Sequence, residues 1–381
     1  MAMKQINPDV CAAYPITPAT EIMQIFAAYV ADGVVDTELV TVESEHSAMS
    51  ATVGSCCAGA RSMTATSSQG LAYMWEMLYI AAGLRLPIVM PMVNRALSAP
   101  INIHCDHSDS MGCRDSGWIQ INCENNQEAY DNIIQAMRIS EHPEVQLPTM
   151  VTFDGFITSH GMEPIELLAD EDVKSFIGPY KSRFSLLDVD NPITVGAIDF
   201  TDYYFEHRRS LAEPLINKVI PIALEVAAEF EKKFGRKYGL FEEYMMDDAE
   251  IAIVVLGSTA GTAKVVVQEL RAKGIKAGLI KIRLFRPFPY SQIAKVLSNV
   301  KAVAVLDRSD GLAGMGGPVF GEIRSALYDM KTRPVVNNYV YGLGGRDITL
   351  AHIESVYNDL LCMRDNGLQP DKLVNYLGVR E

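Results

Sequence analysis

The chain has 381 residues, 49% of them apolar, and 33 basic against 47 acidic side chains leave a net charge of −14. That length suits two or three domains with a large core, and the acidic balance, with a pI of about 5.0, argues against nucleic acid or an anionic membrane as partner, since both need a basic face. No apolar run reaches the roughly 20 residues of a membrane span, the N-terminus has no signal-peptide core, and the seven cysteines include no C-x-x-C pair, so a cytoplasmic chain with reduced thiols and no iron–sulfur or zinc-ribbon motif is expected.

The first 155 residues alternate short apolar runs with helical patterns. Val10 to Tyr14 reads as a strand and Pro15 to Pro18 as a turn, with Thr17 as helix N-cap and Pro18 at the first helical position of a helix running to about Ala31. Leu39 to Val42 is the next strand, and Glu45 to Ala60 a helix rich in small residues. Ser62 to Thr66 reads as a strand, Ser67 to Gly70 as a turn, Leu71 to Ala82 as a helix, and Leu86 to Val93 as a fully buried strand. A helix over Asn125 to Glu141 and a strand over Pro148 to Phe153 complete a βαβα order, which implies a mostly parallel sheet covered by helices.

From about Thr158 to Arg208 the pattern is lost, as in an excursion over the surface. An amphipathic helix from Leu215 to Phe234 ends at Gly235, a good C-cap, and Asp247-Asp248 marks a boundary. A second α/β unit follows. Its strands are Ile251 to Leu256, Ala277 to Ile282, Ala302 to Leu306 and a last one at Asn337 to Tyr341; its helices are Ala260 to Lys273, Tyr290 to Leu297 and Val319 to Tyr328. The turns at Gly257 and Gly311 to Gly317 give neither G-x-G-x-x-G in frame nor a phosphate-binding loop with its Lys-Ser/Thr pair, and read as tight turns.

Chemistry concentrates between Asn94 and Gln120, where two arginines, two histidines, three aspartates and two cysteines leave a buried strand in one long loop. Ligands of open parallel sheets sit beyond the carboxyl ends of such strands. Arg95 there suits a substrate carboxylate or an ordinary surface salt bridge. Thr17, at another strand end, caps a helix whatever else it does. Glu45 is either a desolvated acid exchanging a proton with a ligand or a helix-start acid favoured by the dipole. His104, Cys105, His107 and Cys113 match no standard zinc spacing; hydrogen bonds among His107, Asp109 and Arg114 that stabilise the loop are the plainer account, and no metal ligand is assigned.

Four motifs occur together and in order: Tyr14-Pro15-Ile16-Thr17-Pro18, Val42-Glu43-Ser44-Glu45-His46-Ser47-Ala48, Thr64 to Gly70 and Asn94 to Pro100. With Asp115 to Gln120, Phe234 to Tyr238 and Tyr341-Gly-Leu-Gly-Gly-Arg-Asp347, the chain resembles, over nearly its whole length, the alpha subunits of pyruvate:ferredoxin oxidoreductases (pyruvate synthases) in the 2-oxoacid:ferredoxin oxidoreductase family. The resemblance implies thiamine-dependent oxidative decarboxylation of pyruvate with CoA to acetyl-CoA, carbon dioxide and reduced ferredoxin. It implies an α/β fold of two parts: residues 1–245 as a thiamine-diphosphate pyrimidine-binding domain, with the surface excursion over about 158–245, and residues 246–381 as a transketolase C-terminal-like domain. Glu45 matches the glutamate that hydrogen-bonds the cofactor's aminopyrimidine, Pro15 and Ile16 flank the cofactor, Arg95 matches the arginine that binds the substrate carboxylate, and Thr17 a threonine that hydrogen-bonds the substrate.

The chain lacks the Gly-Asp-Gly motif and following asparagine that hold magnesium and diphosphate, and it lacks cysteine clusters. By resemblance these come from partners: a beta subunit with the diphosphate half of the shared thiamine site, gamma and delta subunits, 4Fe-4S clusters and Mg on partner subunits, and ferredoxin reached through the complex. Three alternatives stay open: the same chemistry on 2-oxobutyrate, 2-oxoglutarate or oxalate, a non-catalytic scaffold subunit, and a transketolase-like enzyme without redox partners.

Overall fold

The structure, a computed structural model, describes residues 1–312, 314–367 and 372–380. Its strands, in chain order, are β1 (Val10–Ala13), β2 (Glu38–Thr41), β3 (Ser62–Met63), β4 (Val89–Asn94), β5 (Ile119–Asn122), β6 (Thr149–Asp154), β7 (Phe241–Tyr244), β8 (Ile251–Val255), β9 (Ala277–Ile282), β10 (Leu284–Arg286), β11 (Ala302–Asp307), β12 (Val335–Tyr341) and β13 (Val374–Leu377).

They form two sheets. The first has the order β10-β5-β6-β4-β3-β1-β2 and the second β13-β12-β11-β8-β9-β7. Every pairing is parallel except β10 with β5 and β7 with β9, at one edge of each sheet. Strands β4, β6, β8, β9 and β11 are buried along their whole length. That explains why they read as continuous apolar runs rather than alternations: helices cover both faces. In the second sheet the pleat sorts side chains cleanly. Ile251, Ile253 and Val255 pack under the helices Thr259–Ala272 and Leu350–Asn366, while Ala252 and Val254 face the helices Tyr290–Leu297 and Pro318–Leu327.

The expected α/β class is the observed one. Several elements differ in place. Ile119–Asn122, which begins inside the end of the expected loop, is a strand, and Ser108–Gly112 in the same loop is a short helix. The helix expected from Leu215 is two, Tyr204–Asn217 and Val219–Phe234, which meet at Lys218. Gly235 ends the second with φ 76, as its C-cap position requires. Asn337–Tyr341 is not the last strand: β13 lies beyond the helix Leu350–Asn366. The excursion contains the helix Asp170–Ile177, and residues 178–203 have no regular structure.

The sheets exchange strands across the boundary expected near residue 245. β7, before it, is the edge of the second sheet, and β10, after it, is the edge of the first. The chain passes from β9 to β10 through Arg283 alone. Its buried guanidinium donates to Asn132 Oδ1 (2.7 Å), Gln135 Oε1 (3.1 Å) and the Gly239 carbonyl (3.0 Å).

Candidate active site

The carboxyl ends of the parallel neighbours β4, β3, β1 and β2 lie along one edge of the sheet, and each leads to a candidate residue or turn. After β2 the chain enters the helix Glu45–Cys57, whose cap is Ser44, accepting the Ser47 N–H (3.2 Å). This places Glu45 at the first helical position, 9% exposed. Its carboxylate has no hydrogen-bond partner among the described residues. It faces the turn after β3. A Cβ on Gly70 would lie 2.4 Å from Thr66 Oγ1, 2.8 Å from Glu45 Cγ and 3.0 Å from Glu45 Oε1, so only glycine fits. Thr66 Oγ1 and Ser67 Oγ beside it are buried without partners. Unpaired buried polar atoms in a native fold call for an explanation such as a ligand.

Arg95 follows β4 and is 8% exposed. Its Nε donates to the Asn102 carbonyl (3.0 Å) and its Nη1 to the Thr17 carbonyl (2.9 Å). Nη2 has no partner, and no carboxylate lies within ion-pair distance among the described residues. Arg283, equally buried, differs in having an acceptor on each of its three nitrogens. A charge removed from water without an opposite partner is costly, and the donor left over on Arg95 is matched to a planar anion.

Thr17 meets Arg95 through its carbonyl, not as a helix cap. Ala19 N–H donates to the Ile16 carbonyl (2.7 Å) and the Thr17–Pro18 bond is cis, which makes residues 16–19 a turn with proline at its third position. The helix begins two residues later than expected, at Thr20 with Ala19 at the cap. The Thr17 side chain is thereby left exposed. Pro15 is exposed and Ile16 half-buried on the segment that leads to this turn.

The turn after β3 and the segment after β4 are held together by Asp109. Its Oδ2 accepts the Ser68 N–H (3.0 Å) and the Arg95 N–H (2.9 Å); its Oδ1 accepts Asn94 Nδ2 (2.8 Å) and the Ser110 N–H (2.7 Å). Ser68 Oγ adds a bond to the Ala96 carbonyl (2.6 Å). Burial pushes the Asp109 carboxyl up to about 6, against the four N–H groups that favour its charge.

A second buried carboxylate, Asp154 at the end of β6, ties the loop to the other sheet. His107 Nε2 lies 2.7 Å from its Oδ1; Arg308 Nη1 (3.1 Å), Ser258 N–H (3.1 Å) and Ser258 Oγ (2.5 Å) bind its Oδ2. Burial alone would raise its pKa, but His107, Arg308 and Ser258 outweigh that and hold it well below the usual carboxylate range. The expected set of bonds among His107, Asp109 and Arg114 does not form. His107 turns to Asp154, Asp109 to Arg95 and Ser68, and Arg114 to the Met111 carbonyl (2.9 Å). Nothing local to the loop marks Asp154 or Arg308, which arrive from other strands.

Two clusters have metal-ligand residue types. Cys105, His107 and Asp154 lie together, but Arg308 and Ser258 already fill the Asp154 oxygens, and burial holds the Cys105 thiol well above its usual range, so it offers no thiolate. Glu124, Glu128 and Glu242 are bridged by Lys281, whose Nζ lies 2.7 Å from Glu124 and 2.8 Å from Glu242 and also binds Glu128.

Residues 1–221 match the family described as pyruvate flavodoxin/ferredoxin oxidoreductase, thiamine diphosphate-binding, and residues 249–353 the family described as pyruvate:ferredoxin oxidoreductase core domain II. The chain is 56% identical to pyruvate synthase subunit PorA of Thermotoga maritima, over 100% of this chain and 95% of the relative. It is 44% identical to ketoisovalerate oxidoreductase subunit VorA of Pyrococcus abyssi, over 96% and 92%. A 2-oxoglutarate:ferredoxin oxidoreductase from Magnetococcus marinus, solved with 2-oxoglutarate, coenzyme A and succinyl-CoA bound, shares the fold with a TM-score of 0.68 at 20% identity, over 95% of this chain and 63% of that one. No described helix is long and apolar enough to cross a membrane.

Proposed function

The chain belongs to the pyruvate:ferredoxin oxidoreductase family, and on that premise we propose that it supplies the aminopyrimidine side of a thiamine diphosphate site and the anchor for a 2-oxoacid carboxylate, pyruvate being the substrate. It is one subunit of an oxidoreductase. The observation that carries the proposal is a pair of nearly buried charges with no ion-pair partner among the described residues, Glu45 beside the turn at Gly70 and Arg95 after β4, with Asp109 tying that turn to Arg95.

The residues fit the cofactor. Glu45 lies beside the partnerless Thr66 Oγ1 and Ser67 Oγ at the turn around Gly70, where the lack of a side chain lets Thr66 and Glu45 close in. When bound, thiamine diphosphate supplies the nucleophilic carbon and the electron sink for decarboxylation. Glu45 holds or exchanges a proton at an aminopyrimidine nitrogen. Arg95 Nη2 takes the substrate carboxylate and fixes the angle at which the adjacent carbonyl is presented. In this reading the exposed Thr17 side chain gives the substrate a neutral hydrogen bond and leaves room for a methyl group, and Pro15 and Ile16 border the cofactor. No Gly-Asp-Gly motif or cysteine cluster occurs in the sequence. Magnesium, the diphosphate grip and the 4Fe-4S clusters therefore belong to beta, gamma and delta partners in a cytoplasmic complex that passes electrons to ferredoxin, with CoA as co-substrate.

In the assembled complex, Glu45→Gln is expected to abolish pyruvate-dependent ferredoxin reduction and CoA acetylation while the subunits still co-purify. Unchanged pyruvate oxidation refutes the assignment of Glu45. A turnover panel of pyruvate, 2-oxobutyrate, 2-oxoisovalerate, 2-oxoglutarate and oxalate tests the substrate, and pyruvate no better than 2-oxoglutarate refutes it.

A further inference from the structure

The Gly342-Leu343-Gly344-Gly345 stretch after β12 has no part in the site described above, yet it touches the loop that carries Arg95. Asn102, whose carbonyl accepts Arg95 Nε (3.0 Å), donates from its own Nδ2 to the Gly344 carbonyl (2.9 Å). Gly345 N–H donates to the Cys105 carbonyl (2.7 Å), and Gly344 N–H reaches Asp106 Oδ2 (3.2 Å). Asn102 Oδ1 also accepts the His104 N–H (2.7 Å), and the His104 carbonyl accepts the Ala96 N–H (3.0 Å), which closes the loop on the residue after Arg95.

This close approach depends on the glycines. A Cβ on Gly344 would lie 2.5 Å from Asn102 Nδ2, and one on Gly345 would lie 2.3 Å from His104 Cβ. Both have positive φ, 59 and 79, where a side chain is strained in any case. The stretch is itself fixed from behind: Arg308, paired with Asp154, donates to the Gly342 carbonyl (3.3 Å), and Tyr341 Oη bonds Thr259 Oγ1 (2.9 Å).

We propose that Gly344 and Gly345, in the turn that leaves β12 of the second sheet, acting through Asn102, are positioning residues that set the direction of the Arg95 guanidinium and so the affinity for the 2-oxoacid carboxylate. The proposal rests on the reading of Arg95 as the carboxylate anchor. Two of the three Arg95 nitrogens are tied to main-chain carbonyls, one at Thr17 and one at Asn102. Only the Asn102 side depends on a contact with the second sheet.

The test uses the assembled complex with Asn102→Ser, Gly345→Ala and Arg95→Lys. Serine can still accept the His104 N–H two residues on but is too short to reach the Gly344 carbonyl, so this variant tests the bridge with the loop turn retained. Asn102→Ser and Gly345→Ala are each expected to raise the pyruvate KM about tenfold, with kcat within about twofold and the CoA KM unchanged. Combined with Arg95→Lys, Asn102→Ser is expected to add less than its own factor, because both act on one contact. An unchanged pyruvate KM in both variants, alongside a raised one in Arg95→Lys, overturns the positioning role and leaves Arg95 standing. An unchanged pyruvate KM in Arg95→Lys overturns the reading of Arg95 and the positioning role with it. Loss of kcat together with a raised CoA KM marks general disruption and also overturns it.

Discussion

Replacing Asp109 with asparagine keeps the side chain's shape and removes half of its acceptor capacity. In the native site each carboxylate oxygen takes two N–H groups, Ser68 and Arg95 on one side, Asn94 and Ser110 on the other. An amide has one oxygen, so whichever way it turns, two buried donors face an NH2 group. Each orphaned donor costs about 1–3 kcal/mol, and two together cost about 2–6 kcal/mol. That is a large share of the roughly 5–15 kcal/mol that holds a typical domain. The loss falls on the link between the Glu45 side and the Arg95 side of the crevice. Amide exchange in peptides covering 66–72 and 93–112 of the assembled complex is expected to quicken by at least about 30-fold, the equivalent of 2 kcal/mol, and the pyruvate KM to rise. Asp109 is also expected to set the acid limb of the native enzyme's pH profile: its carboxyl is pushed up to about 6, so all four N–H groups find an acceptor only above that pH. Protection unchanged within threefold and an acid limb unmoved in Asp109→Asn refute the account.

Gly70→Ala puts a methyl group 2.4 Å from Thr66 Oγ1 and 2.8 Å from Glu45 Cγ, and kcat is expected to fall about 100-fold with the complex intact; wild-type turnover contradicts this. Asp154→Ala leaves buried Arg308 without its partner, so a destabilisation of about 3–5 kcal/mol is expected in denaturant unfolding. Because the folded-state pKa of Asp154 is depressed, its contribution is complete above the unfolded value and is lost as pH falls through the folded one. The stability gap between Asp154→Asn and the native chain should therefore narrow toward acid pH, and a gap that widens there refutes the sign.

The sequence made the central strands and the helix opening at Glu45 legible because each is written in consecutive residues. β9 and Tyr290–Leu297 appear at their expected limits, since long apolar runs and amphipathic turns need no distant partner. Thr17 was misplaced because a threonine before a proline signals a cap locally, whereas the bond to Arg95 that fixes it comes from β4. β5 was hidden for a similar reason: four residues within a polar loop become a strand only when β6 and β10 lie alongside. Of the proposed site residues, Arg95 drew weight from its place at a strand end, whereas Glu45 read equally as a helix-start acid until the motif resemblance singled it out. Asp109 sits among other acids of its loop and Asp154 at the end of an apolar strand, and only tertiary contacts single them out.

The crossed edges β7 and β10 make the two sheets mechanically interlocked. Each sheet is finished by a strand that the other part of the chain supplies, and the link between them is a single residue with its guanidinium sealed inside. Neither half can be drawn away from the other like a bead on a string. Cutting the chain between the two matched segments, at 221 and 249, would strip β10 from the first sheet while leaving β7 to seek the second from outside. The two halves are therefore joined by hydrogen-bonded strand seams as well as by the chain itself, so parting them means breaking β-sheet rather than stretching a linker.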